Sequence, residues 1–249
     1  MEEQVVDSNV AELSIGSVFS RTWAVLFKRP FLFFGIGVVL YAILILIPIY
    51  GLPLINTDVE ANTPLNFGFL SILFFFVASL IVNIAVIYST FGVIKNENFS
   101  LSKILARSLS RIGWLLILTI LICLCVSLGF LLLIVPGIIL SIMFSLSSPA
   151  CIIERLGPIS SMQRSASLTK GNRLIIFGIG LLIAIVSIAI AFATLYISTS
   201  ITNPIISIII TDLPSLLIGF FGEVMIAVIY CELRSIKEGV PVESLTEIP

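Results

Sequence analysis

The chain has 249 residues, 59% of them hydrophobic and 11% charged, and its mean hydropathy of +1.21 lies outside soluble globular usage and within the integral-membrane class. A net charge of −1, with no basic patch interleaved with aromatic residues, excludes a nucleic-acid groove. Histidine is absent, so a Ser-His or Cys-His catalytic pair is excluded, and no phosphate-binding P-loop is present.

Residues 1–12 carry Glu2, Glu3, Asp7 and Glu12 but no lysine or arginine, which predicts a solvated, retained tail rather than a signal peptide. Ile15, Val18, Phe19, Thr22, Trp23 and Leu26 then recur at helical spacing, with Ser17, Arg21 and Lys28 off that face. This predicts an amphipathic helix lying in the membrane interface, with Trp23 in the headgroup layer. Pro30 marks the junction with a first span, Phe31 to about Pro48. An acidic loop, Tyr50 to Asn66, leads to a second span, Phe67 to Ile94, which exceeds the roughly 20 residues a bilayer core requires.

Lys95 to Gly113 is a second basic, amphipathic segment. The third span, Trp114 to Val135, and the fourth, Ile138 to Ile153, are separated by Pro136-Gly137, which predicts a tight helical hairpin turning at that pair. Ser145, Ser147, Ser148 and Pro149 weaken the inner end of the fourth span. Glu154 to Asn172 is the third basic segment, and the fifth span follows to about Ser198. Ile201 to Pro214, interrupted by Pro204 and Asp212, reads as a half-inserted or surface piece, separate from a sixth span, Ser215 to Tyr230, and a polar tail from Glu232.

Parts of the chain repeat. Arg164-Ser165 answers to Arg21-Thr22, Phe177-Gly178-Ile179-Gly180 is identical to Phe34-Gly35-Ile36-Gly37, and Val228-Ile229-Tyr230 matches Val86-Ile87-Tyr88. With a weaker copy opening at Ile104-Leu105-Ala106-Arg107-Ser108, the sequence predicts three pseudo-repeats, about 13–95, 99–153 and 157–239, in one integral membrane domain, 1–249. The expected fold is all-α and polytopic: six transmembrane helices plus amphipathic interfacial helices. In that arrangement every lysine and arginine falls on one side, which predicts both termini in the cytoplasm.

Two sets of residues are candidates for function. Arg21, Arg107, Arg164 and Lys170 form one set, read either as an anionic-lipid headgroup site or as topological charges that fix orientation and snorkel. Glu154, in the densest charged cluster, is a partner for Arg164 or for a base elsewhere. The second set is Glu223, the one acidic residue within a span, with Asn83. A carboxylate near the bilayer middle is costly, so Glu223 reads either as a polar site for a proton, cation or headgroup, or as a protonated side chain hydrogen-bonded to Asn83, Ser79 or another serine. The glycines of the two identical tetrapeptides and of Gly219-Phe220-Phe221-Gly222 read as points of close helix packing. Cys123, Cys125, Cys151 and Cys231 lack zinc-ligand or disulfide spacing and read as small apolar residues.

The hairpin Val135-Pro136-Gly137-Ile138-Ile139 is followed by Pro149, Glu154, Gly157-Pro158-Ile159, Arg164-Ser165, Leu168 and Lys170-Gly171. With the terminal Tyr230-Cys231-Glu232-Leu233-Arg234 and Lys237-Glu238-Gly239, this run resembles the YciC-like bacterial inner-membrane proteins and the related membrane domain ahead of some glycerophosphodiester phosphodiesterases. The resemblance implies a multi-pass inner-membrane fold and supplies no reaction. The function expected is non-enzymatic, with no cofactor and no metal: membrane organisation or lipid interaction, with membrane lipids, further copies of the chain or other membrane proteins as partners. The alternative is a transporter or channel component with a midplane polar site at Glu223 and Asn83.

Overall fold

The computed structural model of the protein describes residues 13–30, 33, 35, 65–95, 101–201 and 203–239, and at 65–72, 74, 75, 101–109, 204, 205 and 208 the backbone alone. The regular elements are all helical: α1 (Ile15–Lys28), α2 (Leu65–Ile94), α3 (Leu101–Leu132), α4 (Ile134–Phe144), α5 (Ser147–Ile153), α6 (Pro158–Thr169), α7 (Arg173–Ser198) and α8 (Pro204–Glu238). Among the described residues five segments are long and apolar enough to cross a membrane, Phe76–Ile94, Ser110–Leu132, Ile134–Ile153, Arg173–Ser198 and Ile209–Glu238. The protein is therefore an all-α polytopic membrane protein. The expected first span, Phe31 to Pro48, and the loop after it lie outside the described residues, apart from Phe33 and Gly35, which are helical.

Burial divides the spans into two kinds. The core is built from Ile84–Val93 of α2, Leu146–Ile153 at α5, and Val224–Leu233 of α8, where nearly every side chain is buried. Tyr88 reaches from α2 to donate to the Ile152 carbonyl at 3.4 Å, and Phe91 of α2 lies 5.9 Å from Tyr230 of α8, centroid to centroid. By contrast, α3 and α7 expose most of their apolar length: Leu124, Leu128, Ile185, Ile188 and Phe192 all face outward. Apolar outward faces of this kind are what lipid covers.

Several boundaries differ from the sequence expectation. The second basic segment is not a separate interfacial helix, because α3 runs unbroken from Leu101 to Leu132. Gly113 is no break, whereas Gly171, with φ at +92°, adopts the left-handed backbone that ends α6 before α7 begins. A helix stops where its backbone is turned; without a turning residue it continues, since stopping would orphan carbonyls and N–H groups.

The hairpin turns at Leu133, which is extended (φ −163°, ψ 154°), and Pro136 and Gly137 lie inside the first turn of α4. Proline is accepted there because the N–H it lacks has no intrahelical partner in a first turn. The role of Gly137 is steric. A Cβ built on it would fall 2.5 Å from the Phe130 ring, and one on Gly129 would fall 3.0 Å from the Gly137 backbone. The two arms of the hairpin touch through these glycines. At the other expected packing glycines the described residues make no such contact: a Cβ on Gly35, Gly180, Gly219 or Gly222 would meet none of them within 4 Å, and one on Gly178 would make only ordinary contact with Ile15.

Ile201 to Pro214 is not a separate piece. From Pro204 onward it belongs to α8, a single helix of 35 residues, and the polar residues from Glu232 to Glu238 are its last turns. Asn203 starts α8 by accepting from the Ile206 N–H at 3.3 Å. Pro214 lies inside it, and the Thr211 and Ser215 hydroxyls donate to the Ser207 and Thr211 carbonyls, at 3.0 and 3.1 Å.

Helix α1 buries part of the expected face: Val18 and Thr22 are buried together with Val25, and Phe19 and Leu26 are half-buried, while Ile15, Trp23 and Phe27 are exposed and the Trp23 and Phe27 rings stack at 5.2 Å. Ser14 caps it, accepting from the Ser17 N–H at 3.1 Å. Cys123, likewise, is exposed on α3, while Cys151 and Cys231 are buried.

The fourth span is broken between α4 and α5, as its serines foreshadow. Ser165 of α6 closes the gap: its hydroxyl donates to the Met143 carbonyl at 2.7 Å and accepts from the Leu146 N–H at 3.1 Å. Ser165→Ala orphans both groups and should lower stability by about 1–3 kcal/mol, read as a lower unfolding midpoint in detergent; an unchanged midpoint would show that the break needs no neighbour. In the same assay Gly137→Ala should cost about 1–3 kcal/mol through overpacking against Phe130, and Gly219→Ala should stay within about 0.5 kcal/mol.

Candidate functional site at the charged end

Helix α5 ends at Glu154, and the chain leaves it through Arg155 in the left-handed region, φ 52°. Arg111 of α3 reaches the Arg155 carbonyl at 3.4 Å. Glu154 is the meeting point of three elements. Its Oε1 accepts from Arg164 Nε of α6 at 2.9 Å and from the Tyr230 hydroxyl of α8, and stands 3.7 Å from Arg234 Nε. Glu238, one turn beyond Arg234 on α8, accepts from Arg234 Nε at 2.9 Å and from Arg164. Two carboxylates and two guanidiniums thus neutralise one another. Burial pulls the Arg164 guanidinium down, but its hydrogen bonds and charge contacts with Glu238 and Glu154 more than offset that, so it holds its proton above the usual arginine range. Lys237 completes the contact between α8 and α6. Its ammonium donates to the Lys170 carbonyl at 2.9 Å and to that of Ser167, at the end of α6 where the helix dipole favours a cation.

A second pair lies on α1 and α8. Arg21 Nε stands 3.3 Å from Glu232 Oε1, and the Ser17 hydroxyl donates to Glu232 Oε2 at 3.3 Å. Glu232 is 6% exposed, whereas the Arg21 side chain is 55% exposed. Beside this pair a groove of about 250 Å³ opens between α1, α2 and α8, with Arg21, Lys28 and Glu232 as its charged lining and Val25, Val93 and Val228 among its apolar walls.

Deeper in the bundle, Asn83 of α2 donates to Glu223 Oε2 of α8 at 2.6 Å. Glu223 precedes Glu232 by nine residues of helix, about 13 Å. The Asn83 carbonyl oxygen is buried and has no hydrogen-bond partner among the described residues. Ser79 does not join the pair; its hydroxyl donates to the Phe76 carbonyl.

The expected site residues are therefore brought together in pairs. Glu154 meets Arg164, and Asn83 meets Glu223. Arg21 and Arg164, matched in the sequence, each face a carboxylate at the end of a core helix and each precede a buried hydroxyl, Thr22 and Ser165. Lys170 is exposed. The Arg107 side chain lies outside the described residues. Sequence reasoning missed Tyr230, Arg234 and Glu238 as partners because they fell in or beside what reads as a polar tail; the four-residue Arg234–Glu238 spacing is the signal that would have found them. Among the described residues, no three of His, Cys, Asp and Glu converge as a metal site.

One family model, that of an uncharacterised protein family, UPF0259, matches residues 57–222. The match takes in α2 to α7 and the first half of α8, and so contains Asn83, Glu154 and Arg164 but neither Arg21 nor Glu232. No curated protein and no solved structure matches the chain.

Arg164→Ala should destabilise the protein by about 1–3 kcal/mol, because it removes one of the two guanidiniums shared by Glu154 and Glu238, and Tyr230→Phe should cost a similar amount. Both act through Glu154, so the double variant should fall short of the sum by at least about 0.5 kcal/mol in thermal or denaturant unfolding. Strict additivity would show that Glu154 does not couple α6 to α8.

Proposed function

The chain belongs to this uncharacterised family, membership of which assigns no activity, and from that premise we propose that it is a non-enzymatic, lipid-interacting protein that organises the membrane around it. The observation that supports the reading is the construction of α1. One side of the helix packs on the core through Val18, Thr22 and Val25; the exposed Trp23–Phe27 stack lies on one flank of that stripe, and Arg21 and Lys28, which line the groove, on the other. Exposed aromatic rings and cations on one helix are side chains suited to a headgroup layer, where each has an apolar and a polar partner.

The cell inner membrane is the location this reading assigns. The basic residues gather in the segments around α1, the start of α3, α6 and the end of α8, which by the positive-inside rule is the cytoplasmic side, both termini included. The three pseudo-repeats and the likeness to YciC-like proteins belong to the same reading. In it, Arg21 and Arg164 are equivalent residues of repeated units, each tying an interfacial helix to a core helix. Further copies of the chain or other membrane proteins meet the exposed faces of α3 and α7.

Purified protein should unfold several degrees higher when bilayer phospholipid is added to the detergent, and Glu223→Gln should leave that rise unchanged. A midpoint indifferent to lipid would overturn the reading. A Glu223 carboxyl band that titrates near neutral pH in infrared difference spectra would instead support transport through a hydrated site at Glu223 and Asn83.

A further inference from the structure

The charges around the end of α6 divide into two groups. Arg164 and Arg234 are matched by Glu154 and Glu238, two cations against two carboxylates. Lys170, Arg173 and Lys237 have no carboxylate partner among the described residues. Lys237 is satisfied as a donor by the carbonyls of Ser167 and Lys170, but its charge is not balanced, and it lies close enough to Lys170 and Arg173 to feel theirs. Contacts between α8 and α6 thus hold three like charges at one corner, which an anion would offset.

The turn between α6 and α7 builds this corner. Gly171 carries the chain from Lys170, the exposed residue that closes α6, to Arg173, the first residue of α7. Asn172 makes no side-chain capping bond to α7, so first-turn N–H groups remain as donors next to the cations. Arg173 also opens the apolar span Arg173–Ser198, which puts the corner at the level of the headgroups. Leu174 follows at once and is 85% exposed, and Phe177 and Leu181, three and seven residues on, are exposed on the same face. Cations and N–H donors above an uncovered apolar face match a phosphate with acyl chains attached; a free phosphate would make no use of that face.

Resting on the lipid-interacting reading above, we infer that the corner between α6 and α7 binds an anionic phospholipid, its phosphate at Lys170, Arg173 and the start of α7 and its acyl chains along Leu174, Phe177 and Leu181. Lys237 contributes its charge rather than a contact, since carbonyls already hold its ammonium. A zwitterionic lipid brings a further cation to a place that has three. The site therefore selects for a headgroup of net negative charge.

The test is native mass spectrometry of the full chain in detergent, offered equal amounts of phosphatidylglycerol and phosphatidylethanolamine of one acyl composition. Wild-type protein should retain phosphatidylglycerol roughly ten-fold over phosphatidylethanolamine, as two or more bases beside one lipid charge predict. Lys170→Gln combined with Arg173→Gln should reduce that preference to about two-fold or less. Lys170 is exposed, so Lys170→Gln alone should fold as wild type and lose roughly five-fold, which keeps the test decisive should the double variant not fold. Arg155→Gln removes an exposed cation beyond the other end of α6, about 18 Å away along its 12 residues, and should leave the preference unchanged. A preference that survives the double variant, or falls equally in Arg155→Gln, would overturn this site while leaving the lipid-interacting reading intact. Displacement of the lipid by inorganic phosphate would make the corner a site for a free anion and overturn the lipid assignment. Absence of any retained or stabilising lipid would overturn both.

Discussion

The arrangement of this protein depends on how a broken helix is satisfied where no water is at hand. Between α4 and α5 the chain interrupts its own hydrogen-bond ladder, and Ser165 supplies both a donor and an acceptor to the gap. That pair of bonds fixes α6 beneath the break and sets its rotation. The preceding residue, Arg164, then faces Glu154, and through Glu154 the end of α5 is joined to Tyr230 and Arg234 of α8. In lipid, apolar burial offers little force between helices, so polar bonds and close packing decide which surfaces meet.

Much of this was legible in the sequence, but unevenly. The pairing of Glu154 with Arg164 and that of Asn83 with Glu223 could be read because charged and amide groups in an apolar chain have few alternatives to one another. Helix limits were harder. Pro136 was read as a turn and Pro214 as the end of a surface piece, yet one occupies a first turn and the other the inside of a long helix. The letter is the same; what differs is whether the missing N–H had a partner to lose. Glycine posed the same difficulty. Gly171 turns the backbone, Gly113 does not, and Gly137 matters because of the Phe130 ring pressed against it. None of these differences is local to the sequence around the residue.

The candidate site divides along the same line. Its deep pair and the Glu154–Arg164 pair could be anticipated, whereas the charges that α8 contributes could not, because α8 carries its helix far beyond the apolar run and brings Glu232, Arg234 and Glu238 under α1 and α6. The same extension explains why Arg21 and Arg164, alike in sequence and in their buried neighbours, end in unlike surroundings. One is enclosed between carboxylates and the other borders a groove.

The hairpin of α3 and α4 bears on how the protein reaches its membrane. No charged residue lies between Arg111 and Glu154, and the connection, Leu131 to Val135, is as apolar as the arms it joins. On the biological insertion scale each leucine, isoleucine or valine at depth contributes about −0.3 to −0.6 kcal/mol. There is no hydrophilic loop to drag across the bilayer. During synthesis the two arms can partition together from the translocation machinery into lipid, already locked at Gly129, Phe130 and Gly137, and so serve as a wall against which later helices assemble.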